Sequence, residues 1–487
     1  MTLTNFSLAD LQSLGSRLPN DPHAVSAALP HWQDVIDYEE GKMRVIDALN
    51  TAYPRFMFHP LVNALAEHIR KEFTLGDAYL TIYPTYNTAL DALRFIKMHS
   101  DSDVEIIIDA QKNLFICCTG NHGAVFAKAH WQHTGLGISS RHAERALRTQ
   151  TAADADFKKT DIRGQLAKYA QVPAEAITLH PSGMSSLYMA YKLTQHAQHG
   201  DTVQLGFPYV DTLKIQEKWG TKVHMIDDAG DYLSQLENIF STYTISACFT
   251  ELPSNPLLRA IDIKAVSQLC RTYHVMLVVD DTIATCYNID VRPYADIQCT
   301  SLTKGFSGKG NVMAGAMMIH PNAPHAQPLL NIRNDIYEDT LHPDDARVLH
   351  HNLSGFDKRM MHMNDNAAQL AQYLDAHHQI DTVYYPSLSH RALYDVVKTP
   401  HGGYGCLLSF TLKDPNRTPA FYNELNICKG PSLGTEFSLC CPYTLLAHYH
   451  ELDWAQTYAV PPHLLRVSAG CEPVNDIIAR FESAFSV

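Results

Sequence analysis

The chain has 487 residues, too many for one compact core, so two or three domains are expected. Its 46% hydrophobic and 18% charged content is that of a globular protein, and a net charge of −13 argues against nucleic acid or an anionic membrane as main partner. The eleven cysteines form no Cys-x-x-Cys pair and include the doublets Cys117-Cys118 and Cys440-Cys441, a pattern of reduced thiols rather than a disulfide framework. The amino-terminal residues show no basic stretch followed by an apolar one, and no apolar run approaches the ~18 residues of a membrane span, so a cytoplasmic protein is expected. The 27 histidines are densest at His130 and His133 and at His350-His351; none stands at zinc-site spacing, and no metal centre is expected.

In chain order, residues 1–60 carry Pro19, Pro22, Pro30 and Pro54 and read as an extended arm. Residues 61–73 are amphipathic at helical spacing, and 104–108 and 114–118 are short apolar strands. From about 165 the pattern becomes the β/α alternation of a mainly parallel sheet, with strands over 176–179, 202–207, 222–226, 245–251, 275–280, 297–300 and 312–319. Helices over 184–198 and 263–273 lie between them, the second with Ile263, Val266, Leu269 and Cys270 on one face. Residues 344–377 read as one long helix. Pro386 then opens a second unit with strands over 406–412 and 464–468 and a last helix near 475–485. The expected division is an arm and extension over 1–164, a large α/β domain over 165–340 and a smaller α+β domain over 341–487.

Ligands of open α/β sheets gather at the carboxyl ends of strands, so those ends are where chemistry is sought. Lys304 stands in Ser301-Leu-Thr-Lys-Gly-Phe-Ser-Gly308, a turn between two strands, flanked by the hydroxyls of Ser301 and Thr303. A lysine desolvated there can act as an amine nucleophile beside an anion held by hydroxyls and backbone amides, which is what pyridoxal phosphate requires; a surface lysine on a glycine-rich loop is the other reading. After the strand at 176 comes Pro181-Ser-Gly183-Met184, whose amides at a helix start can face an anion. Tyr209, after the strand at 202, can stack on a flat ring, or be a packing tyrosine. Asn255, in Glu251-Leu-Pro-Ser-Asn-Pro, can donate to a phenolate oxygen. Asp280 ends an apolar strand and needs a cation there: a pyridinium nitrogen, or a divalent metal shared with Asp281 and Glu251.

Taken together, Ser-Gly-Met at 182–184, Glu-Leu-Pro-Ser-Asn-Pro-Leu at 251–257, Val-Val-Asp-Asp-Thr at 278–282 and Ser-Leu-Thr-Lys at 301–304 resemble the Cys/Met-metabolism family of pyridoxal-phosphate enzymes. Tyr53-Pro-Arg55, Pro431-Ser-Leu-Gly434 and Leu465-Arg466-Val-Ser-Ala-Gly470 extend the likeness. The segments at 23–30 and 131–141 are similar to its longer, fungal-type cystathionine γ-synthase branch. The resemblance implies an aspartate-aminotransferase-like (fold type I) α/β architecture and an enzyme whose cofactor is pyridoxal 5′-phosphate. It implies Lys304 and Tyr209 as catalytic residues, with Lys304 the Schiff-base lysine and Tyr209 stacked on the ring. Asp280 would pair with the ring nitrogen, Asn255 with its phenolic oxygen, and Gly183, Met184, Ser301 and Thr303 with the phosphate. Tyr53 and Arg55 would reach the neighbouring subunit's phosphate, implying a homo-oligomer that shares active sites, a dimer usually assembled as a tetramer. Arg466 and Ser432 would bind the carboxylate of a small amino-acid substrate. The implied reaction is γ-replacement on an O-acyl-L-homoserine by a thiol, giving cystathionine from cysteine. Direct sulfhydrylation, γ- or β-elimination of cystathionine, replacement with a non-thiol nucleophile, and a non-catalytic binding protein stay open.

Three positions depart from the family pattern. Phe58-His-Pro-Leu61 stands where Asn-Pro-Thr is usual, Asp281 where Asn is common, and Phe437 where a substrate-selecting glutamate is often found, with Glu436 one place earlier.

Overall fold

The computed structural model describes residues 13–51, 56–150 and 155–486, so Tyr53 and Arg55 lie outside the described residues. A first layer is a three-stranded antiparallel sheet of β1 (Tyr79–Tyr83), β2 (Val104–Asp109) and β3 (Leu114–Thr119), in the order β1-β3-β2. The helix Pro60–Glu72 buries Val62, Leu65, Ala66 and Ile69 against this unit, the one-sided apolar stripe of an amphipathic helix. The Phe58-His-Pro-Leu departure has a local cause: His59 Nδ1 accepts from Leu61 N at 3.2 Å, and Pro60 takes the first helical position, where no amide donor is needed.

The central sheet has seven strands: β4 (Ile177–His180), β5 (Asp201–Leu205), β6 (Val223–Ile226), β7 (Ile245–Glu251), β8 (Met276–Asp280), β9 (Ile297–Ser301) and β10 (Gly315–Ile319). Their order is β4-β10-β9-β8-β7-β5-β6, and only β10 runs antiparallel, against β4 and β9. Strand β7 is buried at every position and β8 at all but Asp280, as continuous apolar runs require when helices cover both faces. The helix Ile263–Thr272 buries Ile263, Val266, Ser267 and Cys270; Asp262 caps it by accepting from Ala265 N at 3.0 Å, while the expected Leu269 is half-buried at the edge of that stripe.

The second unit holds a five-stranded sheet of β11 (Ile380–Tyr384), β12 (Leu407–Leu412), β13 (Cys428–Lys429), β14 (Leu439–Pro442) and β15 (Leu465–Ser468), ordered β11-β12-β15-β14-β13. Its core takes in Leu408, Phe410, Leu465 and Val467 with Phe481 and Phe485 of the last helix, Val474–Phe485.

Two expectations are corrected here. The single helix over 344–377 is two, Pro343–Asn352 and Phe356–Asp375. Gly355 breaks it in the left-handed region at φ +74°, where a side chain is strained. Arg359 then reaches back to the carbonyls of Phe306 at 2.6 Å and Asn352 at 3.3 Å, placing a cation on the end of the first helix. The amino-terminal arm is also not wholly extended: it contains the helices Trp32–Glu39 and Met43–Ile46. Trp32 and Val35 give the first helix an apolar side that joins the core of the five-stranded sheet, so the arm is folded onto the carboxyl-terminal unit.

Candidate active site

The carboxyl ends of β4, β7, β8 and β9 open into one cavity of about 310 Å³, which β15 closes from the second unit. Lys304, Tyr209, Asp280, Asn255, Gly183, Met184, Ser301, Thr303 and Arg466 all line it. The structure thus gathers these nine sequence-expected residues in one place. Ser432 sits beside them in contact with Lys304.

Lys304 is buried at 7% exposure in the turn after β9, and its Nζ donates to Ser432 Oγ at 3.2 Å. Ser432 therefore positions the amine in this structure. The loop holding Ser432 is pressed onto the lysine turn by Gly434, which has φ +72°; a Cβ there would come within 2.4 Å of Gly305 N. Gly434→Ala is expected to lower stability by about 1–3 kcal/mol through combined strain and overlap. Urea unfolding of the variant checks this, and an unchanged midpoint contradicts it.

The helix Gly183–Ala197 begins at the end of β4. Ser182 caps it reciprocally with Ser185: Ser185 N donates to Ser182 Oγ at 3.1 Å and Ser182 N to Ser185 Oγ at 3.0 Å. The amides of Gly183 and Met184, at the first two helical positions, have no intrahelical acceptor and form an anion-binding end. Glycine is required at 183, because a Cβ would lie 2.7 Å from the Cβ of Ser301. Thr303 lines the same end, but its hydroxyl donates to Ala314 O at 3.3 Å and accepts from Ala314 N at 3.1 Å, which fixes the approach to β10.

Asp280 ends β8, and its Oδ1 accepts from Thr282 N at 2.9 Å. Burial raises its pKa from the ordinary carboxylate value, and no cation among the described residues offsets this. Glu251, at the end of β7, accepts from Tyr209 N; burial and the neighbouring Asp280 push its pKa well up. Asp281 faces away into the core, where Gln298 Nε2 donates to its Oδ2 at 2.6 Å, so these three carboxyls do not converge on a metal.

On the opposite wall, Arg466 projects from β15 at 4% exposure. Its guanidinium donates to Asn255 Oδ1 at 3.2 Å and Pro431 O at 2.8 Å, and lies 4.6 Å over the ring of Tyr443. Asn255 Nδ2 donates in turn to the Tyr443 hydroxyl at 3.0 Å, so Asn255 orients the arginine as well as lining the cavity. Sequence reasoning missed Tyr443. Its only local signal is an aromatic residue directly after strand β14, which many packing residues share.

A flat, doubly charged ligand fits this set: unpaired amides at one end, a buried carboxylate lacking a cation, a buried amine, and a guanidinium beyond it.

Comparison with known proteins agrees with that geometry. Residues 160–486 match the Cys/Met metabolism PLP-dependent enzyme family, and residues 61–139 match the fungal trans-sulfuration enzyme N-terminal domain. The chain is 31% identical to a cystathionine gamma-synthase of Neurospora crassa, over 97% of this chain and 98% of that one. It is 32% identical to a cystathionine gamma-synthase-like protein of Aspergillus thermomutatus, over 99% and 95%. The solved cystathionine gamma synthase of Xanthomonas oryzae pv. oryzae in complex with cystathionine superposes with a TM-score of 0.59 at 24% identity, covering 69% of this chain and 88% of that one, a likeness of fold. With the family match spanning two thirds of the sequence and the buried lysine, carboxylate and helix end converging as that chemistry demands, the chain belongs to the Cys/Met metabolism family of pyridoxal-phosphate-dependent enzymes.

Proposed function

We propose that this enzyme catalyses γ-replacement on an O-acyl-L-homoserine by a thiol, with cysteine as the thiol and cystathionine as the product. The observation that carries the reading is the pairing, in one cavity, of a buried amine at Lys304 with a buried, pre-oriented guanidinium at Arg466. Similarity over nearly the whole length to the Neurospora synthase supports it.

When bound, pyridoxal phosphate supplies an electron sink next to the substrate's α-carbon. Gly183, Met184, Ser301 and Thr303 would hold its phosphate end, and Tyr209 and Asn255 would hold its ring. The carboxylate of Asp280 would oppose positive charge on the ring nitrogen. Arg466 orients the substrate carboxylate, a bidentate task suited to a planar guanidinium already fixed by Asn255 and Pro431. Lys304 Nζ, kept in place by Ser432, would take the α-proton, hand it on and, neutral again, take a β-proton; a single mobile base that serves both carbons is a positioning effect. The acyloxy group leaves from Cγ as a carboxylate, the thiolate adds there, and Lys304 returns the protons. No helix among the described residues is long and apolar enough to cross a membrane, and a cytoplasmic homo-oligomer with Tyr53 and Arg55 reaching a neighbouring site belongs to the same proposal.

Arg466→Ala is expected to raise KM for the acyl-homoserine about 10²–10³-fold, because truncating a buried hydrogen-bonded charge costs about 3–5 kcal/mol. Steady-state kinetics measure it, and an unchanged KM contradicts the assignment. The reaction itself is tested by supplying O-acetyl- or O-succinyl-homoserine with cysteine, with sulfide or with neither. Cystathionine formed only with cysteine supports the reading. Homocysteine from sulfide favours a sulfhydrylase, and an enzyme inert toward both esters overturns γ-replacement on acyl-homoserines.

A further inference from the structure

The cavity has a wall that the cofactor chemistry leaves unused. The arm helix Trp32–Glu39 packs against the helix Tyr443–Ala447, and Tyr38, Glu39, Leu446 and Ala447 line the cavity on the side of Tyr443 and Arg466. This is the substrate side, across from the phosphate-binding helix end. Three carboxylates line the cavity. Asp280 accepts from Thr282 N and Glu251 from Tyr209 N, whereas Glu39 has no hydrogen-bond or ion-pair partner among the described residues. Its neighbours on the arm are all engaged: Asp34 and Asp37 with Arg44, and Glu40 with Lys42 and Tyr449.

The glutamate that the family resemblance leads one to seek near Phe437 is not available to the cavity. Glu436 is clamped by Lys309 Nζ at 2.5 and 2.6 Å, and Phe437 is buried with Leu18, Ala28, Cys428 and Leu439. Neither lines the cavity.

We propose that Glu39, delivered by the amino-terminal arm, binds the ammonium group of the incoming amino-acid thiol and so selects the nucleophile. The inference deepens the γ-replacement reading and rests on it. The first substrate already has its amine at the Lys304 side and its carboxylate on Arg466, leaving the second substrate's ammonium as the cation to be met on this wall. Leu29, Leu49, Leu446 and Val210 line the same cavity, and the Glu39 carboxyl is largely withdrawn from solvent. Burial pushes its pKa up to about 7, and an ammonium partner would reverse that push.

The test compares the wild-type holoenzyme with Glu39→Gln, using cysteine, which carries an ammonium, and hydrosulfide, which does not. The ratio of kcat/KM for cysteine to that for hydrosulfide is expected to fall about 10- to 100-fold, the worth of a charge-assisted hydrogen bond. An unchanged ratio overturns the proposal. A second measurement does not depend on turnover: calorimetric titration of the holoenzyme with 2-(methylthio)-N,N-dimethylethylamine, whose protonated tertiary amine keeps one N–H donor and cannot condense with the cofactor. Binding weakened at least about tenfold in Glu39→Gln supports the site. Equal binding, or none by the wild type, overturns it. A wild type inert toward every acyl-homoserine would remove the γ-replacement reading alone, since the titration still decides whether Glu39 binds an ammonium.

Discussion

Lys304→Ala is expected to abolish turnover, by about 10⁴-fold or more, and to remove the visible absorption of the lysine-linked cofactor. Lys304 is asked to do two things that no neighbour can take over. It is the buried primary amine in the cavity, and its Nζ is set by the hydrogen bond from Lys304 to Ser432 at 3.2 Å. Among the described residues the other cation lining the cavity is Arg466, which cannot deprotonate to act as a base and is fixed by Asn255 and Pro431. Product formation and an absorption spectrum of the purified variant check the result. Wild-type-like turnover would reject Lys304 as the catalytic base, whatever the spectrum showed.

Asp280→Asn is expected to reduce kcat by about 10²–10⁴-fold while leaving the fold intact and the phosphate-binding end untouched. The size follows from where Asp280 stands, at the end of an apolar strand, with its charge opposed by no cation among the described residues. The same geometry gives a second expectation of opposite sign. Because burial raises the Asp280 pKa, the ionised carboxylate weakens the cofactor-free protein as pH rises through that raised value; the protonated form is the one the fold tolerates. Removing the charge also relieves its repulsion of Glu251, whose own pKa is raised partly by Asp280. At neutral pH, cofactor-free Asp280→Asn should therefore melt higher than the cofactor-free wild type, while the loaded variant gains less from cofactor than the wild type does. Thermal melts of both proteins, with and without pyridoxal phosphate, read this directly. A variant that melts lower without cofactor would show that the carboxylate is stabilising in its own right.

Part of this protein was legible before any coordinates. The strands expected over 275–280 and 297–300 fall within a residue of β8 and β9, the first because a strand buried on both faces leaves an unbroken hydrophobic run before Asp280. The residues just past those ends gathered as expected, since a parallel sheet brings successive carboxyl ends to one edge. The helix break at Gly355 falls on a glycine inside the stretch expected as one helix, at a backbone angle that other residues rarely adopt.

Other features had no local signal. Strand β13 is two residues long, too short for a period-two pattern to stand out. The Thr303 hydroxyl bonds the backbone of Ala314, a partner eleven residues away that only folding supplies. Ser432 meets Lys304 across 128 positions. Glu39 was one acid among several on a proline-rich arm, and nothing in its neighbours marked it.

The sequence by itself determined the alternating β/α architecture through the hydrophobic pattern of its segments, and the cofactor class through the ordered set of motifs that resemble one family. The tertiary structure alone decided which carboxylates remain without a partner and which hydroxyls remain free to act. Those outcomes depend on pairings between distant segments, and desolvation makes a charge chemically consequential only where such a pairing is missing.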